Sequence, residues 1–337
     1  MKKVSRIIIC VALVVLVVGA MVVQGAAPKR YAMIFKNTGN PYGEKQMDGF
    51  KTAVEECGAQ AILKAPDQPT VEAQIQMVEE LIAQRVDCIA ITGNDRDALQ
   101  PVLTKAMKAG IKVLSLDSAV NPQSRMVHVN QADSELIGRV EIQAIAQMIG
   151  KKGGQIAILS ATSQATNQNT WIEWMKEELK DKKYKSVKLV KVAYGDDLRD
   201  KSVAETEALL KTYPKLKGII APTTVGIAAA GKVLTDKGLK GKVQLTGLGL
   251  PSEMAEYIES GVCQWMYLWN PIDVGYLAGY AADCLVKGTI TGKVGDSFKA
   301  GRLGVKKVIK VGDGTEIMLG APFKFDKANI GDWKKVY

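Results

Sequence analysis

From Tyr31 onward, short apolar runs alternate with amphipathic ones at a nearly fixed interval, and this restricts the chain to the α/β class. The first apolar runs begin near Tyr31 (YAMIF), Ala61 (AIL), Asp87 (DCIAI) and Lys112 (KVLSL). Their length and their lack of alternation are those of strands buried on both faces, as in parallel sheets. The segments between them carry a helical period: over Thr70–Gln84, Val71, Ile75, Val78, Leu81 and Ile82 share one face, while Met77 lies off it. Gly58 and Gly110 stand where helix C-caps belong. A second series follows Asp133, with strands near Gln155 (QIAIL), Lys188 (KLVKVAY), Gly218 (GIIAP) and Lys242 (KVQLTGL). Successive strands start about 24–33 residues apart, the length of one right-handed βαβ unit. The pattern predicts two doubly wound parallel sheets, each with helices on both faces.

Between the series lies Met126–Gln131 (MVHVNQ), which reads as an extended crossing and not as a flexible linker. A second extended segment, Cys263–Trp269, precedes a helix over Ile272–Lys287. Several such crossings make a multi-strand hinge between two lobes. Leu303–Ile330 has strand patterning and a turn at Gly312-Asp313-Gly314, but pattern alone does not tie it to one lobe. The expected division is 26–130 plus about 270–300 for the first lobe, and 131–265 plus about 301–337 for the second.

Lys2, Lys3 and Arg6 precede the apolar run Ile7–Val23, the order of a secretory signal. Residues 1–25 are read as that signal, with Ala26 as the mature start and an exported product, periplasmic or at the cell surface. The competing reading is an uncleaved anchor, since the run is just long enough to span a bilayer. The formal charge of the chain is +10, three of which belong to Lys2, Lys3 and Arg6. The remaining Lys residues are spread out, and the one local run, Lys180–Lys185, is read as closing a helix, where cations favour the C-terminal dipole, and as solvated surface. No nucleic-acid partner is expected. Cys57, Cys88, Cys263 and Cys284 have no C-x-x-C spacing, and Cys88 falls in a buried strand, so free thiols are favoured over disulfides. His128 is the only histidine, which argues against a zinc site. No metal and no cofactor is expected.

Open α/β sheets bind ligands beyond the carboxyl ends of their strands. The densest polar cluster at such an end is Ser160–Asn169, after the apolar run Ile156–Leu159 and before a helical segment read from Trp171. It holds hydroxyls and neutral amides, with no charged side chain, Cys or His. Such a cluster suits a neutral polyol, with Trp171 or Trp174 nearby, although an ordinary polar loop has the same composition. Other strand ends deliver Phe35-Lys36-Asn37, Thr92-Gly93-Asn94, Leu116-Asp117-Ser118, Tyr194-Gly195-Asp196-Asp197, Pro222-Thr223-Thr224 and Gly247-Leu248-Gly249. Lys36 and Asp117 are the charged pair expected in the cleft, since a carboxylate accepts from adjacent sugar hydroxyls and a lysine donates to oxygen. A turn cap for Asp117 and a surface ion pair for Lys36 are the competing readings. Tyr42 and Trp269 offer stacking faces, or core packing.

With these residues the chain resembles the type I periplasmic sugar-binding proteins, the soluble receptors of ABC importers. Within them it is most similar to the rhamnose-binding proteins and the autoinducer-2 receptors. The stretches that carry the resemblance include GNPYGEKQMDGF (39–50), AITGNDRDAL (90–99), VLSLDS (113–118), ILSATSQATNQNTWIEWMK (158–176), YGDDLRDKS (194–202), IIAPTTVGIAAA (219–230), TGLGLPSEM (246–254), LWNPIDVGYLAGY (268–280) and PFKFDKANI (322–330). The resemblance implies two lobes joined by three crossovers that close on a sugar, no catalysis, a monomer, and a transient membrane permease as partner. By position it implies ligand contacts at Lys36, Tyr42, Asn94, Asp117, Asn167, Gln168, Pro222, Thr224, Trp269 and Asn270. Ribose-type relatives carry an Asp where this chain has Gly249, which puts ribose in doubt as the ligand. Autoinducer-2 receptors carry a carboxylate where this chain has Asn167 and an alanine where it has Thr224, which favours rhamnose or a similar 6-deoxyhexose.

Readings of another class lack their residues. Gly247-Leu248-Gly249 begins a dinucleotide fingerprint without its third glycine, in the last βα unit of its half. No G-x-S-x-G accompanies the single histidine. Asp117 has no evident second carboxylate in the polar cluster for glycoside hydrolysis. A transcriptional regulator of the same architecture needs an N-terminal helix-turn-helix, where this chain has an export signal.

Overall fold

The computed structural model describes residues 27–337. The expected signal segment and its cleavage point lie outside the described residues. Arg30–Ile34 (β1) pairs in parallel with Gln60–Lys64 (β2) and Cys88–Ile91 (β3). Lys112–Leu116 (β4) continues the sheet, and Val127–Asn130 (β5) follows it, both parallel. Every residue of β3 and β5 is buried, which explains the unbroken apolar sequence of β3, while β5 also buries His128 and Asn130. Helices Pro41–Glu56 (α1), Val71–Ala83 (α2) and Gln100–Lys108 (α3) connect the strands. The start of α1 is written in its residues: the Asn40 side chain accepts from the Tyr42 and Gly43 amides, and Pro41 opens the first turn.

After β5 the chain crosses to the second lobe. Asp133 caps Ser134–Ile149 (α4) by accepting from the Leu136 amide at 2.8 Å. Gly154–Ser160 (β6), Val187–Tyr194 (β7), Leu216–Ala221 (β8) and Gln244–Gly247 (β9) form a parallel sheet in the order β7-β6-β8-β9. Its helices are Thr166–Leu179 (α5), Arg199–Thr212 (α6), Thr224–Asp236 (α7) and Pro251–Ser260 (α8). The two-lobed α/β architecture expected from the alternation is therefore present.

Trp265–Leu268 (β10) leads back to the first lobe, where Pro271–Lys287 (α9) packs against α1. Glycines allow this close approach. A Cβ at Gly275 would stand 1.8 Å from the Gln46 carbonyl oxygen, and one at Gly49 would stand 1.9 Å from that of Ile272.

The chain's end corrects the expected division, which placed about 301–337 in the second lobe. Ser297–Lys299 (β11), Val305–Val311 (β12) and Gly314–Met318 (β13) extend the first sheet, which has eight strands in the order β11-β12-β13-β5-β4-β3-β1-β2. The expected turn at Gly312 joins β12 to β13 as an antiparallel hairpin, so this edge of the sheet is mixed. β13 lies parallel to β5, with Ile317 opposite Val129. Phe323–Asp326 (β14) returns to the second lobe, pairing antiparallel with β10, and the short helix Ile330–Trp333 (α10) that follows packs against α8. In β12 only Val308 is fully buried, so its sequence says little about which sheet it joins.

The chain passes between lobes three times: after β5, after β10 and after β13. His128 lies in β5, ahead of the first crossing, buried, with its Nδ1 2.9 Å from the Ser115 hydroxyl. Burial, helped by Arg125, drives the imidazole well below its usual pKa and keeps it neutral. The four described cysteines are free thiols; Cys88 and Cys263 are buried, Cys57 and Cys284 partly exposed.

Candidate functional site

The carboxyl ends of both sheets converge on one pocket between the lobes, with an empty volume of about 370 Å³.

The first lobe supplies its charges. Lys36 follows β1 and Asp117 follows β4; both are buried and both line the pocket. Asp117 has φ +59°, a left-handed conformation that a non-glycine residue adopts only where its surroundings hold it. Gln74, buried on α2, clasps the ends of two strands: its Nε2 donates to the Phe35 and Thr92 carbonyls at 3.1 and 2.8 Å. Its Oε1 accepts from the Asn94 amide at 2.9 Å. Asn94 Nδ2 then donates to the backbone oxygen of Lys36 at 2.9 Å. The residues that fix Lys36 thus lie behind it.

The second lobe supplies neutral groups. The polar cluster does not lie wholly in a loop ahead of a helix at Trp171, as its sequence suggests; α5 already begins at Thr166. Asn167 and Gln168 therefore project from a first turn, where backbone N–H groups lack intrahelical partners. Asn167 Oδ1 satisfies one of them, the Gln168 amide, at 2.9 Å and also accepts from Lys36 Nζ at 3.3 Å. Gln168 Oε1 accepts from the Ser160 hydroxyl and the Ala161 amide, both at 2.7 Å, which fixes the side chain at the end of β6. Pro222 and Thr223, between β8 and α7, and Thr224, which opens α7, complete this wall.

Aromatic rings close the remaining sides. The Tyr42 hydroxyl accepts from Trp269 Nε1 at 2.6 Å and from Gln46 Nε2 at 3.1 Å, and donates to Asp117 Oδ1 at 3.4 Å. Burial, then the Asp117 charge, raises the Tyr42 phenol well above its usual pKa, so it stays a neutral donor. Trp269 meets Tyr42 edge-on at 6.5 Å and Trp171 at 5.8 Å. The Trp171 indole N–H is buried without a hydrogen-bond partner among the described residues.

Of the ten expected contact residues, eight line the pocket: Lys36, Tyr42, Asp117, Asn167, Gln168, Pro222, Thr224 and Trp269. Asn94 does not; its amide is used behind Lys36. Asn270 does not either, because it caps α9 by accepting from the Ile272 amide at 3.0 Å. Several lining residues went unselected in the sequence, among them Phe35, Asn40, Thr223 and Asp197. The strand-end position of Asp197 was its one available signal. Trp174 lies outside this pocket, in a neighbouring groove.

Electrostatically the pocket has one buried cation and two carboxylates. Burial lifts the Asp117 carboxyl to about 6, Asp197 adding to the lift, while Lys36 and the Tyr42 and Asn167 hydrogen bonds pull it down. Asp197 is raised by burial against the pull of Lys36 and the Thr223 hydroxyl. Among the described residues no group of His, Cys, Asp and Glu is placed to hold a metal. The arrangement presents donors and acceptors on several sides with aromatic faces between them, which is what a polyhydroxylated ring requires. At Gly249 a Cβ would stand 2.4 Å from Met266 Sδ and 2.6 Å from Met254 Cγ, so a side chain there requires these methionines to shift.

Comparison with known proteins agrees with this geometry. Residues 31–290 match the family described as periplasmic binding protein domain. A solute-binding protein of an ABC transporter from Clostridium phytofermentas, solved with bound L-rhamnose, is 51% identical, with a TM-score of 0.90 over 93% of this chain and 100% of that one. LsrB from Clostridium saccharobutylicum, solved with AI-2, shares the fold at 21% identity and a TM-score of 0.85, over 90% of this chain and 99% of its own. The D-ribose/D-allose-binding protein of Pseudomonas aeruginosa is 25% identical over 65% of this chain and 70% of its own length.

Proposed function

Since this chain belongs to the periplasmic binding protein family, as a sugar-binding solute receptor of an ABC transporter, we propose that its own ligand is L-rhamnose or a similar 6-deoxyhexose. The family is one of binding proteins, not enzymes, works outside the cytoplasm and delivers its solute to a membrane permease. One observation carries the choice of ligand. A small pocket sets the carboxylate of Asp117 and the ammonium of Lys36 among neutral amides, hydroxyls and the rings of Tyr42, Trp171 and Trp269. The carboxylate accepts from ring hydroxyls, Lys36 and the Gln168 amide donate, and the aromatic rings cover the apolar faces and the methyl group. The relative solved with L-rhamnose supports this reading.

The three crossings serve as the hinge. Contacts from Asn167 of the second lobe to Lys36 and Asp117 of the first hold the lobes together, and a sugar bridging the same groups favours that closed state.

A second reading, a furanosyl ligand of the autoinducer-2 type, is favoured by the second carboxylate, Asp197, since such a ligand presents mostly donors. Calorimetry of the mature chain against L-rhamnose, ribose, galactose and autoinducer-2 separates the two. Rhamnose is expected to bind most tightly; tight autoinducer-2 binding with no measurable rhamnose affinity would replace the first reading by the second.

A further inference from the structure

In the run Tyr194-Gly195-Asp196-Asp197, nothing in the sequence separates Asp197 from its neighbour. Structurally the two differ. Asp196 ion-pairs with Lys201 at the surface, whereas Asp197 lines the pocket together with Lys36 and Asp117.

Two features of the chain are arranged around this one carboxylate. First, Asp196 and Asp197 have φ of +54° and +53°, two consecutive non-glycine residues in left-handed backbone. Such conformations persist where the surroundings hold them, and they cluster at ligand sites. Asp117, the carboxylate of the opposite lobe, is presented by the same kind of backbone at φ +59°. Second, Thr223 occupies the N-cap position of α7 but makes no capping bond. Its hydroxyl donates to Asp197 Oδ1 instead. A threonine at that position ordinarily satisfies a free amide of its own helix. Here it gives up that role and fixes a neighbouring carboxylate.

The facing group is Lys36. Among the described residues its ammonium makes one side-chain hydrogen bond, to Asn167 Oδ1 at 3.3 Å, although it has three donors. Asp197 Oδ1 is taken by Thr223, while Oδ2 has no protein partner among the described residues. A donor-rich cation from one lobe and an acceptor-only oxygen from the other thus face a shared space with capacity to spare.

We infer that Asp197 is a ligand-contacting specificity residue, whose Oδ2 accepts a second sugar hydroxyl beside Lys36, so that the sugar is gripped by one carboxylate from each lobe. This rests on the sugar reading above and adds a restriction to it. A carboxylate accepts and does not donate, so the ligand must offer a free hydroxyl at this position as well as at Asp117. Sugars that are deoxygenated or O-methylated there are disfavoured. Uronic acids and sugar phosphates are disfavoured too, because two carboxylates face a single lysine.

The test is a cycle between protein and ligand variants. Calorimetry of the wild type, Asp197→Asn and Thr223→Val would be run against L-rhamnose and its monodeoxy analogues. Asp197→Asn retains an oxygen for the Thr223 hydroxyl, so its fold should stand, checked by circular dichroism. The expected result is roughly a 30-fold weaker affinity for L-rhamnose in Asp197→Asn. That loss should shrink to within about threefold for the one analogue lacking the contacted hydroxyl. Thr223→Val should weaken L-rhamnose binding in the same direction, with its effect largely absent on the Asp197→Asn background. Wild-type-like affinity in Asp197→Asn, or an equal loss with every analogue, would overturn the assignment and leave the sugar reading standing. Failure of the wild type to bind any neutral sugar would overturn both.

Discussion

Asn167 Nδ2, from the second lobe, stands 3.4 Å from Asp117 Oδ1, from the first. The same carboxylate oxygen faces the Tyr42 hydroxyl at the same distance. Both contacts are long, so the buried carboxylate is oriented by its neighbours without being saturated by them. On the proposed sugar reading this leaves it as an acceptor for an incoming hydroxyl and makes the charge state of Asp117 a variable of binding.

Binding should weaken in acid. With its carboxyl at about 6, Asp117 is mostly ionised at pH 7.5 and mostly protonated at pH 5. Hydroxyls donated by a sugar favour the ionised form, so affinity is full above pH 6 and falls about tenfold per unit below it, until the bound-state pKa is reached. Calorimetry at pH 7.5, 6 and 5 reads this directly; a flat profile would show that the contacted acceptor is another group.

Unliganded stability should move the other way. Asp117 is raised in the fold relative to its ordinary 3.8, so its ionised form costs stability at neutral pH, by an upper bound of about 3 kcal/mol. That cost is present above pH 6 and fades as pH falls toward 4. Asp117→Asn should therefore raise the melting temperature of the sugar-free protein at pH 7.5 by roughly a few degrees. The same variant should lose about 30- to 1000-fold in sugar affinity. A stabilised protein with normal affinity would remove Asp117 from the site.

Specificity should shift when Asn167 and Thr224 are changed together. Asn167→Asp exchanges the amide donor facing Asp117 for a second acceptor, and Thr224→Ala removes a hydroxyl from the pocket wall. One unmatched hydrogen bond in a buried site is worth roughly 1–3 kcal/mol, enough to reverse a modest preference. In competitive binding the wild type should prefer rhamnose and the double variant should shift toward autoinducer-2. An unchanged ranking would mean that these positions do not choose the ligand.

Closure should be visible in solution. Asn167 reaches both Lys36 and Asp117 across the lobes, and Trp171 and Trp269 line the pocket. Saturating sugar should reduce the radius of gyration measured by small-angle scattering and alter tryptophan fluorescence. An unchanged radius at saturation would indicate a rigid molecule.

The seam between α1 and α9 should tolerate no added methyl group. Gly275→Ala places a Cβ against the Gln46 carbonyl, backbone that cannot give way cheaply. A loss of about 1–3 kcal/mol or more is expected in denaturant unfolding. Wild-type stability would mean that the two helices separate more easily than their packing suggests.

The sequence by itself determined the two-lobed α/β plan, since strands buried on both faces and amphipathic helices declare themselves by period. It also determined that polar strand ends gather at one edge of each sheet, because the carboxyl ends of parallel strands always lie on one side of their sheet. Lys36, Asp117 and the Asn167–Gln168 pair were legible in this way, though most of the contact set came from family resemblance. Tertiary structure decided the rest. It set β13 against β5 and β12 against β13, and β12, with one buried residue, carries almost no record of its neighbours. It took Asn94 and Asn270 out of the pocket, because an amide that reads as a ligand contact serves equally as a backbone clasp or a helix cap. It brought Asp197 into the pocket and left Asp196 outside, a distinction made by the backbone turn and by Thr223, which lies 26 residues away in the chain. Local pattern records burial and period; which groups face one another depends on contacts between distant segments.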